Sequence, residues 1–208
     1  MADPPALQTT DGPEFCIAVQ PAPHSPIFDT AWLKRIVDQA FFPPSTLYNC
    51  VAEIWLYHNA APRPGRAVHV GGPHTVIGVH PGARLTNHWE KLGVASLAVT
   101  EAFARTCPPT PEAARARQFV AEAAFRAWRA LPPDFPAEHQ ERLLAVWGRL
   151  GPGRLARLGG PAFPALARLL GPVRAARWLR LRRRHPYASC RTLSSADYES
   201  LLRALPAP

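Results

Sequence analysis

Apolar positions recur at helical spacing along most of this chain, and strand-like runs occur only in its first half. Phe28, Trp32, Leu33, Ile36, Val37, Ala40 and Phe41 return at three- and four-residue intervals, which predicts an amphipathic helix over 28–42 closed by Pro43-Pro44. Ser45 then caps a second helix with Leu47, Val51, Ile54 and Trp55 on its inner stripe. Thr86 opens a third, carrying Trp89, Leu92, Val94, Leu97 and Ala98 to about Arg105. At Thr110-Pro111-Glu112 a cap, a first-turn proline and an acid near the positive end of the dipole coincide, so a fourth helix runs from there to Leu131 and buries Val120, Ala124 and Trp128. A fifth spans 137–150 with Leu143, Leu144, Trp147 and Leu150 inward. Beyond it Leu-Gly-Pro punctuation, at Leu150-Gly151-Pro152, Leu158-Gly159-Gly160-Pro161 and Leu170-Gly171-Pro172, marks turns between short helices. The last helix, 195–205, has a serine cap and Asp197 in its first turn.

Two stretches break the helical pattern. Phe15-Cys16-Ile17-Ala18-Val19 is an unbroken apolar run stopped by Gln20-Pro21, and reads as a strand. Residues 66–89 read as strand, Gly71-Gly72 turn, a second strand over 76–79, then Pro81-Gly82 and a helix. The fold expected is therefore an α/β (or α+β) N-terminal half with a short sheet, followed by a mainly α-helical basic half. The predicted organisation is a flexible arm at 1–14, a small α/β region at 15–107 and a helical, arginine-rich region at 108–208.

Composition changes this picture mainly through charge. The 208 residues can fill one sizeable core or two small ones, and 25 prolines keep the helices short. Of 24 basic residues only Lys34 and Lys91 are lysine, and the net charge is +9. Twelve arginines and a single acid, Glu141, fall between 141 and 191, so that stretch carries +11 and the remainder is slightly acidic at −2. At about 100° per residue, Arg174, Arg177, Arg180 and Arg184 share an arc of about 120° on a helix from Val173, with Trp178 among them and Ala176 and Leu179 facing a core. This predicts RNA or another nucleic acid held by Arg174, Arg177, Arg180, Arg182, Arg183 and Arg184, with Trp178, Tyr187 or His185 stacking on a base. The same face also suits an anionic membrane surface, its arginines snorkelling above leucines.

Cys16, Cys50, Cys107 and Cys190 form no CxxC pair, no secretory h-region opens the sequence, and no window holds the roughly 18 uninterrupted apolar residues of a spanning helix. An intracellular, non-secreted protein without a transmembrane segment is expected. His69, His74, His80 and His88 lie five, six and eight residues apart without an interleaved carboxylate, so no metal is expected. Cys50 and His58 lack an orienting acid, and Cys50 reads as a packed thiol. Gly71-Gly72, directly after a strand, would let a ligand's phosphate or ribose approach the backbone.

The order Ile17-Ala18-Val19-Gln20-Pro21, a helix, Pro44-Ser45-Thr46-Leu47-Tyr48-Asn49-Cys50-Val51-Ala52-Glu53-Ile54, then Ala67-Val68-His69-Val70-Gly71-Gly72 resembles the N-terminal half of the alphavirus-like RNA capping enzyme, the viral methyltransferase-guanylyltransferase, over residues 15–100. The resemblance implies a viral-type, RNA-associated protein of the host cytoplasm with an S-adenosylmethionine-dependent mRNA cap methyltransferase core. It would set Gly71 and Gly72 at S-adenosylmethionine and give His69, His74 and His80 the proton transfers. Phe42-Pro43-Pro44 stands where that family carries its guanylylated histidine, and His69 where it carries an acid, so activity is left open. The second reading is a non-enzymatic basic accessory protein that binds nucleic acid, an acidic partner or an anionic membrane through its arginine-rich helices.

Overall fold

Side-chain caps open the helices that begin at Thr30 and Ser195 and the 3-10 turn that begins at Thr46. In the computed structural model, which describes residues 8–20, 26–69, 88–180 and 186–206, Asp29 accepts the Trp32 N–H at 2.7 Å and opens α1 (Thr30–Asp38). Ser45 Oγ accepts the Leu47 N–H at 3.2 Å and opens a 3-10 turn (Thr46–Val51) that runs into α2 (Ala52–Ala60). Then come α3 (Trp89–Thr106), α4 (Ala114–Ala130), α5 (Ala137–Leu150), α6 (Phe163–Leu170), α7 (Pro172–Arg180) and α8 (Ser195–Arg203). Pro108-Pro109 follows α3 and Pro132-Pro133 follows α4, each at a place where the next turn would need an N–H that proline lacks. Gly151 (φ 105°) ends α5, and Gly171 (φ 79°) is the one residue between α6 and α7, so both stops use a conformation that favours glycine.

The α/β N-terminal half is overturned. The chain is mostly helical. The run at 15–19 is not a strand but part of a wide helical turn (Glu14–Val19), closed by the Gln20 N–H donating to Phe15 O at 2.9 Å. It buries Cys16 and Ile17 against helices, as an apolar run of this length does equally well in either conformation. The strands among the described residues are β1 (Gln8–Asp11) and β2 (Arg66–His69), which pair antiparallel from Gln8 with His69 to Asp11 with Arg66. A two-strand ribbon of four residues each is no sheet for helices to cover. The second predicted strand, at 76–79, the Gly71-Gly72 turn and the Thr86 cap lie outside the described residues.

Two apolar cores share α3 and α4. One gathers Cys16, Ile17, Ile36, Phe42, Val51 and Tyr57 against Val99 and Phe103 of α3 and Phe119 and Val120 of α4. The other sets Val94 and Leu97 of α3 and Phe125 and Trp128 of α4 against α5, the α6–α7 pair and α8. Because α3 packs into both cores, its buried acids Glu90 and Glu101 must be satisfied internally. Glu90 accepts from the Thr192 N–H (2.7 Å), the Thr192 hydroxyl and the Tyr187 hydroxyl (3.4 Å). Glu101 takes the Arg142 guanidinium on both oxygens, each at 2.7 Å. These bonds fix the segment before α8, and α5, onto α3.

Candidate polyanion interface

Among the twelve arginines of the basic stretch, the fold separates those that hold the protein together from those it leaves outside. Arg142 is consumed by Glu101 and by Pro206 O at 2.7 Å. Arg157 lies over the Phe119 ring at 4.5 Å, 3.9 Å from Glu122 and 4.0 Å from Glu14. Arg191 donates to Leu193 O and to Ser195 Oγ. Arg180, placed on the basic face by its helical angle, is instead buried: it donates to Pro132 O at 2.8 Å and sits 4.9 Å over the Trp128 ring. On α7 the buried arc runs through Ala175, Ala176 and Arg180, so a 120° arc drawn on arginines alone, of about the width a helix face occupies, straddled the boundary with the core. Arg180 is therefore corrected from a phosphate contact to a fastening.

Of the other described arginines in the stretch, Arg149 on α5 and Arg154 just after it are exposed outside the hairpin, and Arg168, Arg174 and Arg177 are exposed on the α6–α7 hairpin. Phe163 and Ala167 of α6, and Ala175 and Ala176 of α7, turn inward, with Phe163 6.1 Å from the Phe125 ring. Small alanines let α7 lie close to its neighbours. Arg174, Arg177 and Trp178 occupy the opposite face at i, i+3 and i+4, with both arginines exposed and Trp178 45 % exposed. At the corner, Arg168 is exposed, Leu169 is 83 % exposed and Leu170 44 %. The predicted contacts Arg174, Arg177 and Trp178 are thus brought together, while Arg182, Arg183, Arg184 and His185 lie outside the described residues. The chain on either side of that segment is tied to one corner: Arg180 to Pro132, and the Tyr187 N–H to Asp134 at 2.9 Å. Sequence reasoning missed Arg168, Leu169 and Leu170; the signal was Leu169, which falls off the Phe163, Leu166, Ala167, Leu170 stripe.

The candidates for catalysis are placed differently. His69 ends β2, its backbone opposite Gln8, while Gly71, Gly72, His74 and His80 lie outside the described residues. His58, His139 and Cys50 are packed rather than poised. His58 Nδ1 is 2.8 Å from Ile54 O and its ring stands edge-on to Phe103; burial pushes it down to about 4. His139 Nδ1 is 2.8 Å from the Tyr198 hydroxyl and is likewise pushed down to about 4, by burial and by the charge of Arg142. Burial raises the Cys50 thiol. No three His, Cys, Asp or Glu side chains gather as a metal would need among the described residues. A cavity of about 50 Å³ between α3 and α5, lined by Arg105, Arg142 and Arg149, is smaller than a nucleotide requires. A groove of about 330 Å³ beside Gln118 and Gly153 lies open to solvent. Compared with known protein families, curated proteins and solved structures, the chain matches none of them.

Proposed function

We propose that this protein is a non-enzymatic, basic accessory protein that docks onto a phosphate-bearing polyanion through the outer face of its α6–α7 hairpin. The observation that carries this is the sorting of the arginines. Arg142 and Arg180 are buried and bonded, Arg157 and Arg191 are engaged by neighbouring groups nearer the surface, and Arg168, Arg174 and Arg177 are exposed on one short hairpin that also carries the half-exposed Trp178. Arginine forks match phosphate oxygens, and several together on a rigid pair of helices bind a polyanion with steep salt dependence. An aromatic ring among them suits contact with bases or with a lipid headgroup layer.

Retention on immobilised heparin, a generic polyanion, tests the reading. Wild-type protein should elute only at high salt, and the Arg174→Glu/Arg177→Glu variant should elute far earlier with an unchanged circular dichroism spectrum. Co-elution of the two proteins would remove the hairpin from the account.

A further inference from the structure

Resting on that reading of the hairpin, we infer that its polyanion is the headgroup layer of an anionic lipid bilayer. Cationic and aromatic groups alone would suit RNA equally well. The corner between α6 and α7 adds what RNA does not use: Leu169 is 83 % exposed and Leu170, beside it, 44 %. Isolated surface leucines are ordinary, but here two adjacent leucines and Trp178 lie within ten positions, interleaved with Arg168, Arg174 and Arg177. A duplex could cover the leucines only by unstacking bases. An anionic bilayer offers both complements at once, acyl chains for the leucines and phosphates for the arginines, at the depths where each group is stable.

The hairpin's construction fits lying on the surface rather than crossing it. α6 has eight residues and α7 nine, so each is far shorter than the roughly 20 that span a bilayer, and no described helix is long and apolar enough to do so. The single-residue connection at Gly171 makes a sharp corner, and that corner carries the exposed leucines. The inner faces of both helices are already committed to the core through Phe163, Ala167, Ala175 and Ala176, so the hairpin reaches a membrane as a preformed wedge, with no unfolding of the body behind it. Leu169 and Leu170 enter the headgroup–acyl boundary, Trp178 lies at headgroup level, and Arg168, Arg174 and Arg177 pair with lipid phosphates.

Co-sedimentation of the full chain with phosphatidylcholine vesicles that contain or lack about one third phosphatidylserine tests this. Binding is expected only to the anionic vesicles, and should weaken at least tenfold both in Leu169→Ser/Leu170→Ser and in Arg174→Glu/Arg177→Glu. All four positions are exposed, so folding should be retained, as circular dichroism will show. If the protein binds RNA undiminished by the two serines and leaves anionic vesicles alone, the bilayer is overturned and the polyanion reading stands. A dimer that the serines abolish, with no vesicle binding, overturns it too, because the leucines then cover one another. Failure to bind heparin, RNA and vesicles alike removes the polyanion reading along with the bilayer.

Discussion

His58 and His139 are buried imidazoles whose ordinary value of 6.5 is lowered to about 4, largely by removal from water. A group held below its unfolded value is protonated first in the unfolded chain. Stability is therefore complete above about pH 6.5, falls as the pH drops toward about 4, and then levels off for these two groups. Each histidine should add about 1.4 kcal/mol per pH unit to the slope of unfolding free energy between about pH 5 and 6. Urea titrations across that range should show the slope largely removed in His58→Gln/His139→Gln; an unchanged slope would mean the rings titrate normally. Glu90 acts lower on the scale. Burial pushes its carboxyl up, but the bonds from the Thr192 hydroxyl and from the Thr192 and Leu193 N–H groups outweigh burial and hold it below the ordinary 4.5. Its contribution is present above the ordinary carboxylate range and is lost as the pH falls through the lowered value. Glu90→Gln should therefore be less stable than wild type at neutral pH, by about 2 kcal/mol, and should flatten the acid limb.

At the scale of elements, Gly159 and Gly160 make a matched pair. A Cβ on Gly159 would come within 2.4 Å of Phe163 Cγ and 2.5 Å of Arg129 Nη1, whereas one on Gly160 meets nothing within 4 Å. Gly159→Ala should cost about 2 kcal/mol by pushing Phe163 off Phe125 and loosening the hairpin, and Gly160→Ala should change unfolding free energy by less than about 0.5 kcal/mol. Equal costs in thermal melts would show that Phe163 is not what seats α6. The sequence was legible where a long periodic stripe was bounded by proline or glycine: α5 occupies 137–150 as its spacing predicts. It was illegible where pairing is remote, since nothing in Gln8-Thr9-Thr10-Asp11 announces Arg66–His69 as its partner. Phe15-Cys16-Ile17-Ala18-Val19 misled because five apolar residues fit a buried turn and a strand alike. In the candidate site, Arg174, Arg177 and Trp178 could be read as one face from their angles. That Arg180 leaves that face depends on Pro132 and Trp128, which a helical wheel does not contain.

Across the whole molecule, arginine serves two separable ends. The Glu101–Arg142 pair, with side chains 5 % and 7 % exposed, joins α3 to α5 and reaches the chain's last described residue through Pro206 O. Removing one partner leaves the other charged and buried, and should cost about 3–5 kcal/mol in Arg142→Met or Glu101→Leu. Replacing both together should recover most of that loss, because a well-packed apolar pair avoids the cost of desolvating two charges. A double-mutant cycle by urea unfolding measures the coupling, and additive losses would show that the two side chains act independently. The same double variant should keep wild-type retention on heparin, since the hairpin is seated on α4 through Phe163 and Arg180 and makes no use of Arg142. A fall in retention without a fall in stability would instead mean that the exposed arginines and the buried one belong to a single electrostatic surface, and that the division between fastening and docking arginines is wrong.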